Sequence, residues 1–366
     1  MSLHRGSNPE ALLEKPAPEP AMGRAGLAPD SDVQRGALRE IFSALSLRRM
    51  TLYWIDFLAS LVLGYSALVL FPLAHPFSLE ASVCFAIATF ALYRAAIFTH
   101  EIAHMPRHLY KMFRFVWNLL CGVPLLIPSF MYEMHNDHHS PRKYGTTQDG
   151  EYLSFAVLPG RTALYFVLKS FLAVPALVSR FLFLAPLRWL FPSLNEFVLT
   201  RASALTLDGE YVRPLETRAV PQMWFLQEAA CFAWCATVLG LMSAGVLSVT
   251  RLAQASAIVT AVVLVNAFRV LAAHRYRSIG QPLSLAEQVR DSNDFPNLLA
   301  ELWAPVGLRF HAVHHLLPQL PYHALPEARR RILLRCGVHH PLGETSRGSL
   351  YRVLRELFRK RSGGTS

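Results

Sequence analysis

The chain has 366 residues, of which 52% are hydrophobic and 17% charged, and its mean hydropathy is +0.28. Soluble domains carry about 25% charged residues, so this composition excludes a disordered chain and a small disulfide-stapled domain and argues against a water-soluble enzyme. Lys and Arg outnumber Asp and Glu by 36 to 25. On so apolar a chain, that excess points to cytoplasmic loops and anionic lipid surfaces and away from nucleic acid.

Residues 1–46 hold Pro9, Pro16, Pro18, Pro20 and Pro29 and show no apolar period, which predicts a disordered tail. The tail has no apolar core of a signal peptide and is too short and polar for a fused electron-transfer domain. A transmembrane helix needs about 20 apolar residues. Four stretches meet that length: 52–73 with Asp56, 80–98 with Arg94, 223–249 with Glu228, and 252–273 with Asn266 and Arg269. They pair as two hairpins, because the 74–79 and 250–251 linkers are too short to hold a domain. Arg48 and Arg49 precede the first hairpin; Arg107, Lys111, Arg114, Arg142 and Lys143 follow it; Arg275 and Arg277 follow the second. The hairpin tips carry only Arg251, so both termini and the long middle segment are expected in the cytoplasm. The cysteines Cys84, Cys121, Cys231, Cys235 and Cys336 form no CxxC pair and read as free thiols, mostly buried.

Fifteen histidines carry the chemical signal. His100 and His104 sit at i and i+4 in an HExxH pattern directly after the second span. His135, His138 and His139 form one HxxHH cluster, and His311, His314 and His315 form another. Residues i, i+3 and i+4 share a helical face, so each cluster aims its imidazoles at one small volume. His274 ends the fourth span on the same side as the clusters. Nine imidazoles exceed the roughly four to six ligands of one ion and imply two metals. Imidazole suits Fe, Cu, Zn and Ni alike, so ligand type leaves the metal open. Glu101, Asp137, Glu133 and Asp149 are candidate acceptors for the second ring nitrogens. Because the clusters must share one side of the membrane, the apolar runs 114–131 and 162–191 are expected to dip or lie flat rather than cross. The fold expected is all-α and integral to the membrane, a four-span bundle capped on the cytosolic side by helices that hold a dimetal site.

The three boxes at His100–His104, His135–His139 and His311–His315, separated by pairs of spans, resemble the membrane fatty acid desaturase/hydroxylase superfamily over about residues 50–340. The resemblance implies a domain over 47–345, a non-haem di-iron centre, O2 as co-substrate and a lipid acyl chain as the group oxidised. It also implies a histidine after the fourth span, here His274, and in some members an asparagine four residues before it. Position 270 is Val here, and Asn266 lies two turns back as a further candidate beside the site. The third box begins with His311, where front-end desaturases usually carry Gln. Aliphatic C–H bonds resist acid–base chemistry, so the metal supplies the oxidising power while the protein positions the chain. The expected reaction is desaturation, with hydroxylation or carotenoid-type ketolation as the alternative. No haem or flavin motif is apparent, so electrons are expected from a ferredoxin or cytochrome b5-type carrier docked on the basic surface.

Two readings from other classes compete. A zinc peptidase would use His100 and His104 with Glu101 as base, and Leu207-Asp208-Gly209 supplies a tripeptide found in such enzymes; both HxxHH clusters would then be idle. A transporter would place its polar groups at mid-membrane, whereas these clusters flank the spans. At the far end, Leu350, Val353, Leu354, Leu357 and Phe358 alternate with Arg352, Arg355 and Arg359, and Lys360 and Arg361 follow. Residues 346–366 therefore read as an amphipathic basic helix and tail, suited to a membrane surface or to packing on the protein's own body.

Overall fold

The computed structural model describes residues 32–215, 221–337 and 340–359. Among these residues it is all-helical, apart from isolated bridges that join Ser292 to His274 and Asp294 to Phe310 and Ser346. The described residues open with α1 (Asp32–Leu45), which corrects the expectation of disorder for residues 32–45. Leu38 and Ile41 are buried against Ala328 and Ile332 of a later helix, and Glu40 pairs with Arg335 at 2.6 Å. The upstream Pro/Gly composition hid this short apolar period; the proline-rich residues 1–31 lie outside the described residues.

α2 (Met50–Leu70) and α3 (Leu79–His104) form the first hairpin. Tyr53, Phe57, Leu61, Gly64 and Ala67 recur at helical spacing on the buried face of α2, while Ile55, Val62, Leu63 and Val69 point outward. Gly64 is required by close approach, since a Cβ there would lie 2.8 Å from Leu92 of α3. Ser78 caps α3 by accepting from Ala81 N at 3.1 Å. The charges inside these helices are paired: Arg94 donates to Asp56 at 2.6 and 2.7 Å and to Glu301 at 2.9 Å.

α4 (Lys111–Trp117) continues into a π-helical turn, reverses near Pro124 and Leu126 and returns at Ser129. The Asn118 side chain ties the two limbs, donating to Ser129 Oγ at 2.9 Å and accepting from Ser129 N at 2.8 Å. The segment thus folds back on itself, as expected for a run that enters and leaves on one side. α5 (His135–His138) follows.

The next run is helical from Gly160 to Leu190, built from α6 (Gly160–Lys169), α7 (Ala173–Ser179) and α8 (Ala185–Leu190) with irregular turns between them. α9 (Asn195–Arg201) leads to the second hairpin, α10 (Gln222–Ser243) and α11 (Val249–Ala273). Among the described residues, five helical runs are therefore long and apolar enough to cross a membrane, not the four expected, because Gly160–Leu190 also qualifies. Its two buried arginines are neutralised: Arg180 donates to Glu228 of α10 at 2.6 Å, and Arg188 chelates the same carboxylate, with Nε at 2.9 Å.

The remaining helices are α12 (Leu285–Asp291), α13 (Ala300–Trp303), α14 (His311–Leu316), α15 (Leu325–Cys336) and α16 (Leu350–Arg359). α16 seats Leu354 and Leu357 beside Val167 of α6 and Leu271 of α11, while Tyr351 and Arg352 stay exposed. It rests on the protein's own body.

Candidate metal centre

Four segments deliver imidazoles to one place. The last two turns of α3 carry His100 and His104, α5 and the residue after it carry His135, His138 and His139, α11 ends on His274, and α14 carries His311, His314 and His315. The rings sort into two groups. His100, His104, His135, His139 and His314 form one, and His138, His274, His311 and His315 the other; within each, one ring nitrogen per residue lies within 4.8 Å of all the rest. All nine are buried except His139, which is half-buried. His139 and His315 pack against each other across the two groups, tilted by 41° with centroids 4.4 Å apart.

The hydrogen bonds behind the rings determine which way the lone pairs face. Asp149 accepts from His138 Nδ1 at 2.9 Å, and Glu151 accepts from His135 Nδ1 at 2.8 Å. Tyr144 donates its hydroxyl proton to Asp291 at 2.8 Å, so the same oxygen accepts from His274 Nδ1 at 2.8 Å. With Nδ1 protonated, Nε2 of each ring carries a lone pair. Yet His138 Nε2 and His274 Nε2 are 3.1 Å apart, so two lone pairs face each other in a buried space. In the first group His139 Nε2 lies 3.0 Å from His135 Nε2, and both ring nitrogens of His100 and His104 have no hydrogen-bond partner. Converging, buried, under-satisfied imidazole nitrogens of this kind fit a cation in each group.

Electrostatics agree. Burial, reinforced by neighbouring imidazoles, holds His135, His139, His311, His314 and His315 well below the ordinary histidine range, which favours the neutral form that binds metal. His138 moves the other way: burial opposes its charge, but the Asp149 carboxylate, aided by Glu151, draws positive charge to that ring and raises its pKa above the ordinary histidine range.

The acceptors follow the sequence only in part. Asp149 stands behind His138 as expected. Glu101 does not face the rings; it binds the Tyr53 hydroxyl, because a residue next to His100 on a helix points to another side. Asp137 pairs with Lys143 at 2.8 Å, Glu133 accepts from Arg107 and Trp224 at 3.0 Å each, and Asn266 accepts from Arg269 at 2.8 Å. Glu151, Tyr144 and Asp291 carry the role instead. Glu151 had a local signal, lying two residues beyond Asp149; the other two had none. Tyr152 completes the arrangement by donating to Asp291 at 2.9 Å. Gly145 turns the loop between Tyr144 and Asp149 at φ +79°, and a Cβ there would meet Ser278 at 2.8 Å. Exposed His108 lies beyond Pro106 and joins neither group. Leu207 and Asp208 dock their amides on Gly150 O, so the tripeptide at 207–209 serves the loop that carries Asp149 and Glu151.

The comparisons with known proteins bear on the same residues. A family model described as fatty acid desaturase matches residues 76–342, a stretch that contains all nine histidines. The chain belongs to the fatty acid desaturase family. This desaturase-family protein is also similar to a ceramide hydroxylase of Caulobacter vibrioides (strain NA1000 / CB15N), 33% identical over 339 residues, which covers 92% of this chain and 96% of the relative. No solved structure matches it significantly. Membership of an oxidoreductase family of membrane-embedded, lipid-processing enzymes removes the peptidase and transporter readings, and the Glu101–Tyr53 contact independently leaves the peptidase reading without a base at the rings.

Proposed function

We propose that this protein is an O2-dependent lipid hydroxylase that oxidises a ceramide-type lipid, an N-acylated long-chain amino alcohol, at a pair of iron ions. The observation that carries the chemistry is the division of nine imidazoles, eight of them buried, into groups of five and four. The substrate class rests on the similarity to a ceramide hydroxylase along nearly the full length of both chains. Desaturation of an acyl chain is the second reading, favoured by the family description.

His100, His104, His135, His139 and His314 would hold one iron, and His138, His274, His311 and His315 the other. When bound, the pair supplies the oxidising power that an unactivated C–H bond demands. In the overall reaction one oxygen atom of O2 enters a C–H bond and the other leaves as water, with two electrons and two protons drawn from an external carrier. Asp149, Glu151 and Tyr144 keep Nδ1 of His138, His135 and His274 protonated and their Nε2 lone pairs inward. Asp291 fixes Tyr144 so that its oxygen can only accept. The packed helices exclude water and align the lipid chain.

The topology we propose follows from closure. The chain leaves the site after His139 and re-enters it at His274, so it crosses the membrane an even number of times between them. α10 and α11 supply two crossings as a hairpin; the run Gly160–Leu190 then enters and leaves on one face. With α2 and α3 this makes four spans, with the metal centre and both termini cytoplasmic, where Arg107, Lys111, Arg275 and Arg277 lie. The electron carrier, of ferredoxin or cytochrome b5 type, docks on that basic face.

Expression in a host that makes ceramides, followed by mass spectrometry of total lipids, tests the function. A ceramide heavier by one oxygen supports hydroxylation, and a lipid lighter by two hydrogens supports desaturation. A lipid profile identical to that of the His311→Ala control refutes both.

A further inference from the structure

Arg269 lies near the end of α11, inside a candidate span, and is only 6% exposed. The helical rise puts its Cα about 7.5 Å below that of His274. An arginine at such a depth is costly and is retained for a partner. The partners present are neutral. Nη2 donates to Asn266 Oδ1 at 2.8 Å, and the hydroxyls of Tyr93 and Tyr132 stand beside the guanidinium. Tyr93 directs its own proton to Trp303 O at 3.0 Å and Tyr132 directs its proton to Glu151 at 2.8 Å, so both turn lone pairs towards Arg269. The buried Nε has no hydrogen-bond partner, and no carboxylate lies at ion-pair distance among the described residues. The guanidinium adjoins the histidine layer, for Tyr132 stacks on His135 with centroids 4.8 Å apart.

We propose that Arg269, assisted by Asn266, binds an oxygen of the lipid substrate, a hydroxyl or an amide carbonyl, directly below the histidine groups. The proposal rests on the lipid hydroxylase reading and deepens it. Methylene groups offer nothing to a guanidinium, and an all-hydrocarbon segment passing here would leave a buried donor unpaired. An oxygen acceptor completes the arginine and fixes the register of the chain. The reacting carbon then lies within a few bonds of the polar head, not far along the tail. Arg269 is a specificity-determining residue in this account. The competing role is purely electrostatic, with Arg269 balancing the Glu151 carboxylate behind His135.

The test uses the full chain in membranes, with an N-acyl sphinganine and three analogues that lack the first hydroxyl, the second hydroxyl or the amide carbonyl. Wild type should lose about 10- to 100-fold in kcat/KM with one analogue, the scale of a charged hydrogen bond. R269M should lose a similar factor on the parent lipid, lose nothing more on that analogue, and keep its iron. Equal turnover of all four lipids by wild type overturns the proposal, as do losses that multiply independently in R269M. If R269M fails to hold iron, R269K carries the same cycle. Fragmentation of the wild-type product supplies a readout free of any variant: oxidation next to the head supports the proposal, and oxidation far along a tail overturns it. A wild type that oxidises some other lipid refutes the ceramide reading alone, and the position of oxidation on that lipid still judges Arg269.

Discussion

Tyr144→Phe removes a single buried oxygen and isolates one link of the metal centre. The hydroxyl accepts from His274 Nδ1 and donates to Asp291, each at 2.8 Å. Asp291 keeps two donors after the change, Tyr152 at 2.9 Å and the Arg277 amide at 2.8 Å, so no carboxylate is stranded. His274 keeps only Ser292 Oγ at 3.3 Å, a poor substitute. The ring of residue 144 still packs against His138 and His315. The cost to folding is therefore near the lower end of the ~1–3 kcal/mol for a lost buried hydrogen bond. The cost to metal binding is the larger effect, about 10- to 100-fold in affinity, or roughly 1.4–2.8 kcal/mol. It should fall on the group His138, His274, His311 and His315 and spare the group built on His100 and His104. Titration of purified protein with a chelator, scored as iron per chain, should show one ion leaving at lower chelator concentration than in wild type while the other is unchanged. Wild-type retention of both ions would refute the reasoning, as would simultaneous loss of both.

Four further outcomes are expected. His311→Ala should abolish lipid oxidation and lower metal content while the protein stays in the membrane, measured by product yield and metal analysis. Glu228→Ala leaves Arg180 and Arg188 buried without their carboxylate and should cost about 3–5 kcal/mol, read as a large drop in thermal midpoint; a midpoint within a degree or so of wild type would contradict the paired-charge account. Glu101→Gln should keep wild-type metal content and most activity, because Glu101 touches Tyr53 and not the rings; loss of metal would return it to the centre. Single cysteines at Arg161 and Ser193, both exposed and at the two ends of the run Gly160–Leu190, should react with a membrane-impermeant reagent from the same face; labelling from opposite faces would make the run a span.

The contrast between what was legible and what was not follows the range of the interactions. HxxHH and HExxH can be read because i, i+3 and i+4 share a helical face, and the histidines of those boxes lie together in the fold. The spans are legible for the same local reason, and so is the doubling back of 114–131, where Pro124 and Pro128 interrupt the apolar run. Tyr144 was not legible, because it reaches a ring 130 residues away and no local pattern marks it. Asp291 acts through Tyr144 and is more remote still. Glu101 was misread because sequence adjacency to His100 is not spatial adjacency on a helix. Helix α1 was missed because two buried residues, Leu38 and Ile41, give too short a period to stand out beside so many prolines. Hydropathy alone does not separate Gly160–Leu190 from the other four runs; Arg180 and Arg188 find Glu228 only in three dimensions.

The order in which the imidazoles occur along the chain has a consequence for biogenesis. His311, His314 and His315 follow every membrane helix, yet His314 belongs to the same group as His100, and His311 and His315 make up half of the other. Neither group is complete until translation has passed the last of these residues. Metal loading is thus a late event, and a ribosome that stalls after α11 leaves a hairpin pair with imidazoles but neither group complete. Maturation then becomes a checkpoint on synthesis through α14: only a chain extended past His315 completes both groups, and with bound ions gains the rigidity that metal ligation lends to a fold.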